Sequence, residues 1–236
     1  MKTKAPARKG PETYRRKFLI ETLESRQLLS VTSESEPNHS RSSATELVAT
    51  EDPPLAGLLS GLGTGNIDVA DEDYWAITAL AGDVVRVAVD TPSSILDANV
   101  EFLNSAGGVL RSDNNGGPGA DSLVNNFEIA TTGAYFVKVR GSSSTSIGTY
   151  QVRVDLARGI QLESDSGYSN DHGAGHFVGL AQSGNRFSGT IAGSIMSPED
   201  TNLDEDRFNL GFRNAGNVIE WTFPRIGVED ENSPVN

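Results

Sequence analysis

"AYFVKVRGSSSTSIGTYQVRVDL" (134–156) holds two alternating runs on either side of a serine-rich bend. In the first, Tyr135, Val137 and Val139 alternate with Phe136, Lys138 and Arg140. In the second, Tyr150, Val152, Val154 and Leu156 alternate with Gln151, Arg153 and Asp155. A period of two, with aromatic and β-branched residues on one side, marks a strand with one face in a core. Upstream, "DVVRVAVD" (83–90) sets Val85, Val87 and Val89 against Val84, Arg86 and Ala88. Between these runs lie "LLSG", "DYWAIT", "ANVEFLN", "GVLRS" and "LVNNFEIA", each bounded by turn residues. Roughly eight strands in about 120 residues predict an all-β fold, a jelly-roll-like β-sandwich.

Composition points the same way, with 25 glycines and few aromatics in 236 residues, as short strands joined by many turns require. The absence of cysteine excludes disulfides, cysteine-ligated zinc and a thiol nucleophile. The first 29 residues hold eight Lys or Arg against three acids, net +5, so the total of −13 leaves −18 on residues 30–236. Such an acidic body disfavours nucleic acid, whose phosphates need a positive face, and suits divalent cations. No run of 18 apolar residues occurs, so no transmembrane helix is expected.

Residues 1–30 read as a targeting segment apart from the fold. "RRKFL" approaches a twin-arginine export motif, but Glu21, Glu24 and Arg26 interrupt the apolar run that should follow. The segment resembles the LEPR-XLL sorting motif of large secreted or surface bacterial proteins through Leu23, Glu24, Arg26, Leu28, Leu29 and Ser30, with Ser25 where that motif has proline.

"ADEDYW" (70–75) returns as "LDEDRF" (203–208), and the likeness extends over 71–89 and 204–223 with one inserted residue. It pairs Asp71 with Asp204, Asp73 with Asp206, Trp75 with Phe208 and Gly82 with Gly216. More loosely, "ESEPNHS" (34–40) matches "ESDSGYSND" (163–171) and "GLLSG" (57–61) matches "GTIAGSI" (189–195). The expected organisation is therefore a sandwich over 31–158 and an incomplete second copy with an acidic tail over 159–236. Nothing like the pair of runs at 134–156 follows "VIEWTF". A copy without them would leave apolar faces and strand edges open, so the chain is a fragment, or pairs strands with another chain, or is poorly ordered there.

"SESEPNHSRSSATEL", "GLLSG", "DEDYWAITALAGDVVRV", "DANVEFLNSAGGVL" and "TTGAYFVKVRG…GTYQVRV", in that order, closely resemble the bacterial pre-peptidase C-terminal domain, fully over 33–156 and more weakly over 160–223. The resemblance implies a non-catalytic β-sandwich accessory module of secreted proteins. It also implies calcium, because collagen-binding members of that family hold the ion with an N-terminal segment and an early acidic loop. The matching residues here are Glu34, Glu36 and Asn38, then Asp68, Asp71 and Asp73. Alternate residues of an extended segment project to one side, so Glu34, Glu36 and Asn38 form one oxygen set and Asp71 and Asp73 another, with Glu72 turned away. The competing reading is two solvated acidic loops, with Asp73 capping a turn. In the second copy Glu163, Asp165, Asp204 and Asp206 are the analogues.

Other motifs carry less. "GGPGADSLV" (116–124) fits the calcium nonapeptide once, whereas that motif works by stacking many copies, so a glycine-rich hairpin loop is expected. "DHGAGH" (171–176) spaces His172 and His176 like a helical zinc pair, but lacks the intervening glutamate and has two helix-breaking glycines. No G-x-S-x-G elbow or triad frame is present, and Asp71 and Asp73 sit too close together for a glycosidase acid pair. Trp75 and Phe208 read as core, Phe136 as an outward contact and His39 as exposed. The expectation is a non-enzymatic secreted or cell-surface module, stabilised by calcium and binding extracellular protein or polysaccharide. The alternatives are a structural fragment of a larger surface protein and, more remotely, a hydrolase.

Overall fold

Every second residue of the quoted runs enters a core shared by two sheets. In a computed structural model, residues 30–51, 56–119, 121–163, 175–193 and 206–221 are described, so all but the last residue of the 1–30 segment read as targeting lies outside them. The first unit contains β1 (Val31–Ser33), β2 (Thr45–Glu46), β3 (Thr50–Glu51), β4 (Leu58–Ile67), β5 (Glu72–Ala79), β6 (Val84–Asp90), β7 (Ala98–Asn104), β8 (Val109–Asp113), β9 (Ser122–Glu128), β10 (Gly133–Gly141) and β11 (Gly148–Ala157). The eight longer strands, β4 to β11, are those legible as alternating or apolar runs. No helix among the described residues is long and apolar enough to cross a membrane.

One sheet runs β1-β4-β11-β6-β9, with β3 also on β4, and the other runs β2-β5-β10-β7-β8. The two runs that open the sequence reading are therefore the middle strands. β11 pairs antiparallel with both β4 and β6, and β10 with both β5 and β7. Between the sheets Val85, Val87 and Val89 meet Tyr135, Val137, Val139, Tyr150, Val152 and Val154 around Trp75 and Phe102. Phe102 stacks on Tyr135 at 5.5 Å between ring centroids and takes Phe127 edge-on at 5.6 Å. Each such side chain contributes roughly 1.5–3 kcal/mol of burial.

Two expectations need correction. The alternation places only one face of β6 and β11 in the core, yet on the other face Arg86, Ala88 and Asp155 are buried. The chain beyond β11 covers it: Leu162 packs with Leu58 and Ala157, flanked by Val84, Ile160 and Ala192, and Leu123 covers Ala88. Arg86 Nη1 pairs there with Glu163 Oε1, both side chains out of solvent. Nor is the glycine-rich loop a hairpin, because β8 and β9 belong to different sheets. The loop crosses between sheets, and Asp113 Oδ2 pins its two ends by accepting the N–H groups of Gly116 (2.7 Å) and Leu123 (2.8 Å).

Beyond residue 159 the described strands are β12 (Gln161–Leu162), β13 (His176–Phe177), β14 (Ala181–Ser183), β15 (Arg186–Ser188), β16 (Ile191–Ala192) and β17 (Phe208–Asn209). Their bonding repeats that of the first unit. β12 runs parallel to β16 as β1 does to β4, and the Glu163 N–H reaches the Ala192 carbonyl at 2.8 Å as Glu34 reaches Thr64 at 3.0 Å. β13 runs parallel to β17 as β2 does to β5, pairing His176 with Phe208 where Thr45 pairs with Trp75. Val178 donates to Asn209 as Leu47 does to Ala76, each at 2.9 Å. The turn at Leu80–Asp83 also recurs at Asn214–Asn217: Gly82 and Gly216 have φ of 87° and 88°, and the side chains of Asp83 and Asn217 accept from Leu80 (2.8 Å) and Asn214 (3.0 Å). The looser sequence match shifts by four, since Ala192 stands where Thr64 stands. "GTIAGSI" is therefore the counterpart of "GLGTGNI" (61–67), sharing G-x-x-x-G-x-I. Trp75 is fully buried, whereas Phe208 is half-buried.

Candidate functional site

The site forms where the segment entering the sandwich crosses the start of β5. The N–H of Glu34 continues the β1–β4 ladder, and its Oε1 accepts the N–H of Asn66 at 2.9 Å. Two residues on, Glu36 precedes a cis peptide to Pro37. Asn38 is fully buried; its carbonyl accepts the Tyr74 N–H at 3.0 Å and its own N–H donates to Glu36 Oε2 at 3.0 Å. These bonds carry Asn38 onto β5 and bring its side-chain amide between Glu36 and Asp73.

Asp73 points into the sandwich on the same face of β5 as Trp75, and both are fully buried. From β11, Tyr150 donates its hydroxyl to Asp73 Oδ2 at 2.6 Å and accepts the Trp75 indole N–H at 2.9 Å. Gly65 makes room for this, because a Cβ there would run into the Tyr150 ring and lie 2.5 Å from Glu34 Oε2. An open cleft of about 480 Å³, lined by Ser33, Glu34, Thr64, Gly65, Tyr150 and Gln151, leads to the group from solvent.

Of the six residues nominated from sequence, Glu34, Glu36 and Asp73 bring carboxylate oxygens within 4.8 Å of one another, with Asn38 among them. Asp71 joins through a second group, in which it meets Glu36 and His39 within the same limit. Asp68 belongs to neither. It sits on an exposed turn where Asn66 Nδ2 reaches its Oδ1 at 3.1 Å, and its N–H donates to Asp71 Oδ2 at 3.2 Å. Glu72 faces away, as expected, toward Lys138. Sequence reasoning missed Tyr150, whose place depends on β11 lying beside β4, and His39, whose Nδ1 is 2.8 Å from Asp71 Oδ1 although the ring is largely exposed. In the second unit, Glu163, the counterpart of Glu34, is committed to Arg86, while Asp165 and Asp204 lie outside the described residues, as does His172.

Residues 71–141, from the acidic loop through β10, match the family model for the bacterial pre-peptidase C-terminal domain. Over those residues the sandwich is similar to that domain. Among solved structures, the chain is similar to the pre-peptidase C-terminal domain of a collagenase from Bacillus anthracis, at 14% identity and a TM-score of 0.34, covering 54% of this chain and 97% of that one. It is also similar to PliG of Aeromonas hydrophila, described as a periplasmic inhibitor of g-type lysozyme, at 13% identity and a TM-score of 0.35, over 54% and 96% of the two chains. PliG of Salmonella Typhimurium follows at 18% identity and a TM-score of 0.30, over 41% and 90%. No curated protein matches the sequence.

Within this site the acids are held against their preference. Burial, then the neighbouring Glu34 carboxyl, pushes Asp73 up to about 8, although the Tyr150 hydroxyl favours its charged form. Burial also raises Glu34, offset in part by its bonds to Asp73 and Asn66. Glu34 Oε2 is buried and accepts no N–H or hydroxyl. Two arrangements relieve such a cluster. Either a proton is shared and the Asn38 amide turns its nitrogen to Glu36 Oε1 (3.0 Å) and Asp73 Oδ1 (2.8 Å), or the amide oxygen faces the acids with a cation between them. The donors are all hard oxygens, a set suited to calcium and not to a soft metal.

Proposed function

We propose that residues 31–158 form a non-catalytic accessory module of a secreted or cell-surface protein, clamped by calcium and binding extracellular protein or polysaccharide. Glu34, Glu36, Asn38 and Asp73 would hold the ion, with Asp71 beside it. The observation that carries this reading is the buried, unsatisfied Glu34 Oε2 aimed at the Asp73 carboxyl. A cation there offsets the repulsion of three converging acids and ties the entering segment to β5 and, through Tyr150, to β11. The match of residues 71–141 to the family model for the bacterial pre-peptidase C-terminal domain supports this reading. For the ligand, the outer face of β5, β10 and β7 offers half-buried Phe136 opposite Ala76 and Leu103, beside the Lys138–Glu101 ion pair.

Calorimetric titration of the full chain with calcium, alongside E36Q and D73N, tests the clamp. Saturable binding near one equivalent that both substitutions weaken, with a higher Tm in calcium than in chelator, is the expected result. Titration heats and Tm indifferent to calcium would return the acids to a proton-sharing cluster.

A further inference from the structure

Two glutamates of this chain occupy equivalent places in different company. Glu34 follows β1 and donates its N–H to the Thr64 carbonyl of β4, and Glu163 follows β12 and donates to the Ala192 carbonyl of β16. Both strand pairs are parallel. The residue after each acceptor is a glycine, Gly65 or Gly193, on which a Cβ would collide with Oε2 of the glutamate. The backbone therefore builds one carboxylate cradle twice. Glu34 meets the carboxylates of Glu36 and Asp73 there. Glu163 meets Arg86 Nη1 instead, with both side chains out of solvent.

Arg86 comes from β6 of the first unit and has another acid for a neighbour. Its direct cross-strand partner on β11 is Asp155. That carboxylate is taken by Arg153 Nε at 3.0 Å and by the Ser60 hydroxyl, so Arg86 passes it and reaches Glu163. Only Nη1 makes the pair. Nε and Nη2 are buried and donate to no acceptor, whereas a guanidinium fitted to a carboxylate makes two parallel bonds. Asn126, against the same glutamate, gives Nδ2 to the Glu163 carbonyl at 2.7 Å and leaves its Oδ1 buried without a donor. The guanidinium thus serves the cradle as a charge more than as a fork, and a buried carboxylate without such a charge is costly.

We propose that Arg86 is the resident cation of the second cradle. The first unit supplies as a side chain what the Glu34 cluster takes from solution, so the joint between the units holds without calcium and Glu163 binds no ion. The comparison with Glu34 rests on the calcium reading above, and the role of Arg86 at Glu163 does not. Calcium then tightens the entry to the sandwich and leaves the joint as it is.

Amide exchange at residues 161–163 of the full chain reads the joint, and calorimetric titration with calcium reads the ion. In the wild type those amides should be equally protected in calcium and in chelator. R86M should speed their exchange by about a hundredfold or more in both, as loss of a buried charge partner implies. R86K, which keeps a charge, should restore most of the protection. E163Q should leave calcium stoichiometry and affinity unchanged, in contrast to E36Q and D73N. Protection that depends on calcium in the wild type, R86K no better than R86M, or a loss of calcium binding in E163Q would each overturn the proposal. Should R86M fail to fold, the wild type and E163Q still decide it. A chain that binds no calcium at all would remove the clamp, and the comparison of R86M with R86K would still judge the resident cation.

Discussion

The hydroxyl of Tyr150 donates to Oδ2 of Asp73 at 2.6 Å, joining the middle strand of one sheet to an inner strand of the other. The phenol oxygen of Tyr150 in turn accepts the Trp75 indole N–H, so one phenol satisfies two buried groups. Y150F should therefore cost about 1–3 kcal/mol, the range for orphaning buried polar groups. It should also weaken calcium binding, because the Asp73 carboxylate loses a donor that favours its charged form. Denaturant melts and calorimetry read the two effects separately. A variant as stable as wild type would mean that water replaces the phenol.

The Asp73 carboxyl gives the cation-free protein a pH dependence of definite sign. Its folded pKa of about 8 lies above the ordinary 3.8, so its stabilising contribution is full below about 4 and is lost as pH rises through about 8. In chelator, Tm should fall across that window. In calcium the order should reverse, because a bound ion would displace a proton, so affinity should climb with pH until about 8. Titration in buffers of different ionisation enthalpy counts the released protons. Proton-neutral binding would remove Asp73 from the ligand set.

Gly65 is a packing requirement of the site and not of a turn. G65A places a methyl against the Tyr150 ring and Glu34 Oε2, both on side chains held by hydrogen bonds. A loss of about 1–3 kcal/mol is expected, the range for overpacking. G82A differs in kind, with nothing near its Cβ but a φ of 87° that strains any L side chain. It should cost about 1 kcal/mol and leave calcium affinity unchanged. The ratio of stability loss to affinity loss in the two variants is the measurement.

Arg86 and Glu163 fasten the second unit to the outer face of the first. Removing one partner strands a buried charge, so R86A and E163A should each lose about 3–5 kcal/mol, while a double replacement by Met and Leu should recover most of it. Gly193 belongs to the same lock, since a Cβ there would collide with the Glu163 carboxylate. Hydrogen exchange at residues 161–163 reports whether docking is lost along with stability.

The strands were legible because their inward sides are nearly pure Val, Tyr and Leu: β6, β10 and β11 fold with the facing read from their alternation. The buried outer face of β6 was not, because nothing within "DVVRVAVD" tells that residues 160–163 will lie over Arg86. The acids of the site were legible as spacing, Glu34, Glu36 and Asn38 on one segment and Asp73 on another. Their convergence depended on which strands become neighbours, and so Tyr150 went unnoticed. Asp68 shares the acidic loop in sequence but is carried off by the turn at Ala70, whose φ of 61° redirects the chain before β5. The D-E-D-x-aromatic motif suggested a repeat, while the correspondence of Ala192 with Thr64 appeared only in the strand pairing.

Because β10 and β11 occupy the middle of both sheets yet come last in the unit, the order of synthesis constrains folding. Leu58 waits for Ala157, and Glu72 for Arg140. Until the chain has been made to about residue 157, β4, β5 and β6 have no central neighbour and their valine-rich faces are open. Folding is thus governed by late, long-range closure, the regime of slow milliseconds-to-seconds kinetics. A nascent chain of this kind is most exposed to misassociation just before those strands arrive.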